Sequence, residues 1–249
     1  MEAAFETYGD DTLAAPLIVI VEHATNLIPP PMQATEEDHP WLQTHWGWDI
    51  GIADTSRSLI DETSSFGLFS RFSRLICDPN RKPEDGTWIR TDVEGYTPSF
   101  NRNIDDAERQ RRFEMYHDPY HEAIDQALHK RLDMDRDVLL LSMHSFTPKL
   151  GEELRPMEIG VLYDDHEAIA KRVATLFEEE GFVTALNEPY SGFDHLIYSA
   201  NRHGRAHNLI YLEFEVRQDL IDTPEKAKKV GSRIAKVLHK LQLRRHVRT

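Results

Sequence analysis

Cysteine is almost missing from this chain: among 249 residues only Cys77 carries a thiol. One thiol closes no intramolecular disulfide, so the stapled framework of a small secreted domain is excluded and a reducing compartment, the cytoplasm, is the expected setting. Cys77 sits in the apolar run Leu75-Ile76-Cys77 with no base beside it, the pattern of a small buried side chain rather than a nucleophile. Long hydrophobic runs are missing too. No stretch approaches the roughly 18 apolar residues of a membrane span, and the acidic segment Met1 to Asp11 has neither the basic start nor the apolar centre of a signal peptide. No membrane partner is expected. Positive charge is scarce, since 29 Lys and Arg against 43 Asp and Glu leave a formal charge of −14. That balance works against a surface tracking nucleic-acid phosphates. The late basic residues Lys226, Lys228, Lys229, Arg233, Lys236, Lys240, Arg244, Arg245 and Arg248 interleave with Val230, Ile234, Val237, Leu238 and Leu241 at helical spacing. They read as the solvated side of a last helix.

Internal repeats and low-complexity linkers are also lacking, so residues 1–249 are read as one domain. Within it, short apolar runs alternate with longer helical patterns, which predicts an α/β fold with a mixed, largely parallel sheet flanked by helices. The strand candidates are Leu17 to Glu22, Gly67 to Ile76, Val138 to Met143, Glu158 to Tyr163 and Asn208 to Glu215. Asp118-Pro119 has the form of an N-cap with proline at the first helical position, opening a helix to about Leu132. Thr223-Pro224 repeats that logic, and Asp165 to Gly181 forms a further helix stopped by its glycine. Asp78 to Asn103 breaks the rhythm with prolines, glycines and polar residues and reads as a binding loop.

Three strand candidates end in residues suited to hydrolysis: His23, His144 and Glu215. In open α/β sheets ligands bind beyond the carboxyl ends of the strands, so groups far apart in sequence can converge there. Two imidazoles suit zinc, and a neighbouring carboxylate can take a proton from water. A third ligand comes either from His45-Trp46-Gly47-Trp48-Asp49, which supplies the imidazole of His45 and the carboxylate of Asp49, or from the amide of Asn26, in His23-Ala24-Thr25-Asn26. A carboxylate oxygen is the better zinc donor, which favours Asp49, although capping of a helix starting near Gly51 is its alternative role. Arg74, Arg81, Arg90, Arg155 and Arg217 lie around these segments, and guanidinium groups near a metal site in an acidic protein suggest an anionic substrate. His117 and His121, four apart, have metal-binding spacing, but Pro119 between them argues for a break that separates the pair.

In order along the chain, Val21-Glu22-His23-Ala24-Thr25-Asn26, His45 to Gly51, Ser73 to Arg81, His144-Ser145-Phe146-Thr147-Pro148, Asn187-Glu188-Pro189-Tyr190-Ser191 and Glu215 to Ile221 resemble the N-formylglutamate amidohydrolase family. The resemblance implies a fold similar to zinc carboxypeptidases and aspartoacylases. It implies hydrolysis of an N-formyl or other N-acyl amino acid, N-formyl-L-glutamate to formate and glutamate in the namesake reaction, with one Zn2+ per chain. By its pattern His23 and His144 are metal ligands, Asn80-Arg81 grips substrate and Glu215 is the general base. Arg74, Asn80, Arg81, Arg155, Asn187, Tyr190 and Arg217 are the candidate contacts to a small anionic substrate. Asn26 stands where the wider relatives carry a metal-binding glutamate, which keeps Asp49 and Asn26 both open. Glu213, two residues before Glu215, is the alternative base. A second function class follows from Asn26, a ligand-binding protein of the same fold without metal or catalysis. Self-association as a homo-oligomer is left open.

Overall fold

Alternating runs of β-branched and aromatic residues build the centre of the molecule. In the computed structural model, which describes residues 4–13, 15–134 and 138–241, the strands are β1 (Phe5–Gly9), β2 (Leu17–Val21), β3 (Phe66–Ser70), β4 (Leu139–Phe146), β5 (Lys149–Leu150), β6 (Glu153–Leu154), β7 (Ile159–Leu162), β8 (Thr184–Leu186) and β9 (Ile210–Arg217). The helices are α1 (His39–Leu42), α2 (Ile52–Thr63), α3 (Asp106–Arg112), α4 (Asp118–Met134), α5 (Glu167–Glu179), α6 (Tyr198–Ala206) and α7 (Pro224–Leu241). Arg244, Arg245 and Arg248, expected on the last helix, lie outside the described residues. Seven strands form one sheet in the order β1-β3-β2-β4-β9-β7-β8. Pairing is parallel through β3, β2, β4 and β9 and again between β7 and β8, whereas β1 runs antiparallel to β3 and β7 antiparallel to β9. This is the mixed, largely parallel α/β domain expected from the alternation of strand and helix patterns.

The central strands are buried on both faces, so they read as continuous apolar runs, and each face packs its own core. Leu17, Val19, Val21, Leu139, Leu141, Met143, Leu212, Phe214 and Val216 meet the apolar sides of α2, α5 and α7. Ile18, Ile20, Leu140 and Tyr211 face the other way, toward α4 and α6. Gly231 lets α7 approach α2, since a Cβ there would fall 2.5 Å from the Thr55 carbonyl oxygen. No described helix is long and apolar enough to cross a membrane.

Three local expectations need correction. β3 stops at Ser70 instead of continuing to Ile76, and residues 71–77 are irregular, with a turn at 74–76 closed by Ile76 N donating to Ser73 O. Asp118 is the first residue of α4 but not the N-cap of a free helix end. The helix starts at Asp106, capped by the Asp105 side chain accepting from Glu108 N, and passes through a π-helical turn, Phe113–His117, straight into α4. A π turn shifts the hydrogen-bond register, which lets Pro119 follow without breaking the helix. His117 and His121 therefore do share a helix face, with ring centroids 4.3 Å apart. The expected stop at Gly181 is present, with φ +84° there, and Cys77 is fully buried, its thiol pushed above the usual range by that burial.

The loop from Asp78 to Asn103 is held by buried polar anchors. Arg112 donates to the Ile76 carbonyl at 2.7 Å and to Asn101 Oδ1 at 2.6 Å. Asp38 accepts from Thr35 N, Tyr96 Oη, and the backbone and hydroxyl of Ser99. A long irregular segment so pinned is a rigid wall for a site.

Candidate active site

Period two along the sheet decides which side chains share a face. On the face toward α4 and α6 the strands start apolar and end polar: Ile18 and Ile20 lead to Glu22, Leu140 to Ser142 and His144, and Tyr211 to Glu213 and Glu215. In the parallel pairing of β4 with β9, His144 stands opposite Glu215. His23 follows β2 directly, and Asp49 lies ahead of α2, its backbone N–H bonded to the His23 carbonyl. The polar ends converge where an α/β sheet binds its ligands.

His23, Asp49 and His144 are buried, and one donor atom from each lies within 4.8 Å of the other two. His144 Nδ1 is 2.8 Å from Asp49 Oδ2, and His23 Nδ1 is 3.4 Å from the same oxygen. The opposite ring nitrogens have their own partners: His23 Nε2 lies 2.7 Å from Asp78 Oδ1, and His144 Nε2 lies 3.3 Å from Glu22 Oε2. Asp78 is in turn paired with Arg74 at 2.9 Å and bonded by the Asn80 N–H, while Ser142 Oγ donates to Glu22 Oε2 at 2.9 Å. Two imidazoles aimed at a carboxylate, each backed by a further carboxylate, is the arrangement that orients metal-binding histidines. The donor set, two nitrogens and a carboxylate oxygen, suits zinc.

Charge supports that fit. Glu22, Asp49, Asp78, Glu213 and Glu215 are all buried in this small volume. Burial opposes ionisation of Asp49 and Asp78, yet the neighbouring histidine charges, and for Asp78 also Arg74, hold both below the usual carboxylate range. Glu22 is likewise held low by His144 against the effect of burial. Burial raises Glu213 to about 7 and pushes Glu215 well above its ordinary value, with the nearby acids adding to the effect. So many acids in one buried place call for a cation among them.

His23, Asp49, His144, Glu213 and Glu215 form one wall of a cavity of about 460 Å³. Glu215 Oε2 is buried and has no hydrogen-bond partner, whereas Glu213 Oε2 accepts from Asn80 Nδ2 at 3.2 Å. Asn80 also approaches His144 Nε2 at 3.3 Å. Arg81 and Arg155 line the cavity, and Arg155 lies 5.6 Å from the ring centres of both Phe146 and Tyr190. Of the candidate residues, His23, Asp49, Arg74, Asn80, Arg81, His144, Arg155, Tyr190 and Glu215 all reach this cavity.

Others do not. Asn26 donates to the Leu42 carbonyl at 3.0 Å and is absent from the cavity wall, so Asp49 is the residue brought to the histidines. Asp49 does not cap α2, because its Oδ2 accepts from Ser145 N. Arg217 and Asn187 are placed outside the cavity. The Arg217 guanidinium is folded onto Asp219 and the carbonyls of Arg155, Pro156 and Met157, and Asn187 Oδ1 accepts from Tyr163 N and Gly192 N. His117 and His121 bind carbonyl oxygens of Arg81 and Pro79 behind the site. Sequence reasoning passed over Glu22 and Asp78 as supports and His45, Trp46 and Glu94 as wall residues. Arg90 lies 5.1 Å over the Trp46 ring, lines the cavity and has no ion pair among the described residues. Asp78 stands in the Ser73 to Arg81 block and Arg90 among the arginines around the long loop, but neither position tells which way its side chain turns.

Fold and cavity define the class: an α/β domain whose polar groups gather at the carboxyl ends of the central strands, the usual location of chemistry in this architecture. The chain matches N-formylglutamate amidohydrolase over residues 15–222, and it belongs to that family of amidohydrolases. Among solved structures it is similar to a gene product of Agrobacterium tumefaciens, with 25% identity, TM-score 0.88 and coverage of 96% of this chain and 94% of that one. It is also similar in fold to N-formylglutamate amidohydrolase from Ralstonia eutropha, with 19% identity, TM-score 0.73 and coverage of 96% and 99%. No curated protein matches the sequence.

Proposed function

We propose that this protein hydrolyses the amide bond of an N-formyl or related N-acyl amino acid, with N-formyl-L-glutamate as its substrate and formate and glutamate as products. The observation that carries the reading is the unpartnered Glu215 Oε2 in the same cavity wall as the His23–Asp49–His144 cluster. In this reading His23 Nδ1, Asp49 Oδ2 and His144 Nδ1 hold one zinc ion. Zinc, when bound, supplies polarisation of the amide carbonyl and a lowered pKa for water.

The chain's own groups do the rest. Glu215 takes a proton from the attacking water at Oε2 and returns it to the leaving nitrogen. Its burial raises its proton affinity, which makes the carboxylate a stronger base toward the attacking water. Arg81, Arg90 and Arg155 receive the substrate carboxylates, Tyr190 closes one side, and Asn80 keeps Glu213 and His144 in place. A small dianion fits both the arginine-rich rim and the cavity's size. The lone buried thiol supports placing the reaction in the cytoplasm.

A Glu215→Gln variant tests the assignment. It is expected to retain zinc while kcat on N-formyl-L-glutamate falls by about 10²–10⁴-fold. Turnover at the native rate would overturn the role given to Glu215, and a substrate panel that ranked another N-acyl amino acid higher would move the substrate.

A further inference from the structure

A second set of donors lies between α4 and α6, apart from the cavity. α4 carries Asp125 and His129 four residues apart, and α6 carries His203 with His207 four residues on, at the helix end. That spacing puts each pair on one face of its helix, and the two faces meet. His203 Nδ1 and His207 Nε2 lie 2.7 and 2.9 Å from the same oxygen, Asp125 Oδ1. The His129 ring packs edge-on against His207 with centroids 4.7 Å apart. Asp125, His203 and His207 thus offer ligand atoms all within 4.8 Å of one another.

Proton counting shows what this cluster lacks. His121 Nε2 faces the Pro79 carbonyl oxygen at 3.0 Å and must carry a proton there. As a neutral ring it then accepts at Nδ1, where His203 Nε2, 2.8 Å away, must donate. A neutral His203 is left with a lone pair on Nδ1, and that lone pair points at a carboxylate oxygen. His207 Nε2 points at the same oxygen. His207 can meet that oxygen as an N–H donor, but a neutral His203 Nδ1 has no proton to give it, so that contact needs a positive centre.

We propose that Asp125, His203 and His207 form a second metal site, for a zinc-like divalent ion. Two imidazoles and one carboxylate suit zinc and disfavour magnesium and calcium, which take oxygen ligands. Zinc bonds of about 2.0–2.2 Å at tetrahedral angles separate donors by roughly 3.3 Å. The cluster opens to that spacing by moving the Asp125 carboxylate, whose side chain is 34% exposed. With metal on Nδ1, His203 donates its Nε2 proton to His121, as histidine ligands ordinarily do to an outer partner.

The site is coupled to the cavity by position. His121 Nε2 and Ser199 Oγ both bond the Pro79 carbonyl oxygen, and Pro79 precedes Asn80, whose amide contacts Glu213 and His144. An ion at the second site fixes the His203–His121–Pro79 chain and so positions the Asn80 loop; its ligands are positioning residues.

Zinc titration of the metal-free chain by calorimetry tests this, with cobalt as a spectroscopic substitute. The wild type is expected to saturate at about two equivalents and His207→Ala at about one. A His23→Ala, His144→Ala variant keeps one equivalent, which adding His207→Ala removes, circular dichroism confirming that each variant is folded. Loss of all binding in the His23→Ala, His144→Ala variant while it remains folded overturns the second site. So does a wild-type cobalt titration that saturates at one equivalent and is unchanged by His207→Ala. Retention of one His207-dependent equivalent in a wild type that binds only one would support this site and count against the cavity site.

Discussion

Glu213 and Glu215 stand two residues apart on the same side of β9, and their surroundings separate them. Glu213 is tied to Asn80 Nδ2 and lies 3.6 Å from His144 Nε2, the position of a group that orients a ligand. Glu215 has no such bond: its side chain lines the cavity while its Oε2 is buried without a hydrogen-bond partner. Glu213→Gln is therefore expected to weaken zinc retention about 10-fold in a chelator competition while reducing kcat far less than Glu215→Gln. The reverse ranking, with zinc affinity unchanged, would exchange the two roles. His23, His144 and Glu215 were legible in the sequence because each is a polar residue ending an apolar run, and polarity at the end of a buried strand needs a reason. Arg217 also follows such a run, but nothing local in a sequence tells which way a long guanidinium turns. It found the carbonyls of residues 155–157, which exist as a cluster only in the folded chain.

At the scale of elements, the placement of Asp49 depends on how α2 begins. Gly51 precedes that helix with φ +80°, and a Cβ there would lie 2.0 Å from the Ile221 carbonyl oxygen. Gly51→Ala combines a left-handed backbone with a backbone clash and is expected to cost at least about 2 kcal/mol in urea unfolding. It should also lower activity by shifting Asp49, two residues upstream; an unchanged midpoint would show that this turn has another way to relax. The continuous strands and the helices α5 and α7 were readable from apolar period and end residues. The α3–α4 join was misread because Asp-Pro is a strong local start signal, and only the π turn before it, a product of packing, makes it an interior position. The edge strands β1 and β8 carried too little burial to mark themselves: β1 is mostly exposed or half-buried and β8 half-buried throughout.

For the molecule as a whole, acid is the expected weakness. His117 is fully buried, and burial lowers its pKa from 6.5 to about 4. The folded state thus binds its proton later than the unfolded chain does. Its contribution is intact above pH 6.5 and is lost as the pH falls from there through about 4, by up to about 3 kcal/mol. His117→Gln, whose amide can still donate to the Arg81 carbonyl, is expected to flatten the loss of stability over that range in denaturant titrations. A slope equal to that of the wild type would assign the acid sensitivity to other groups.

The sheet order places β9, the last strand among the described residues, between β4 and β7. During synthesis the earlier strands can pair only as two separate halves, β1-β3-β2-β4 and β7-β8, each with an open edge where β9 belongs. An edge left unpaired invites pairing with other chains. A product that stops short of residue 210 lacks Glu213 and Glu215 and also the strand that joins the halves, so it is expected to be both inactive and prone to aggregate. Completion of the sheet and completion of the cavity are therefore a single late event in the making of this protein.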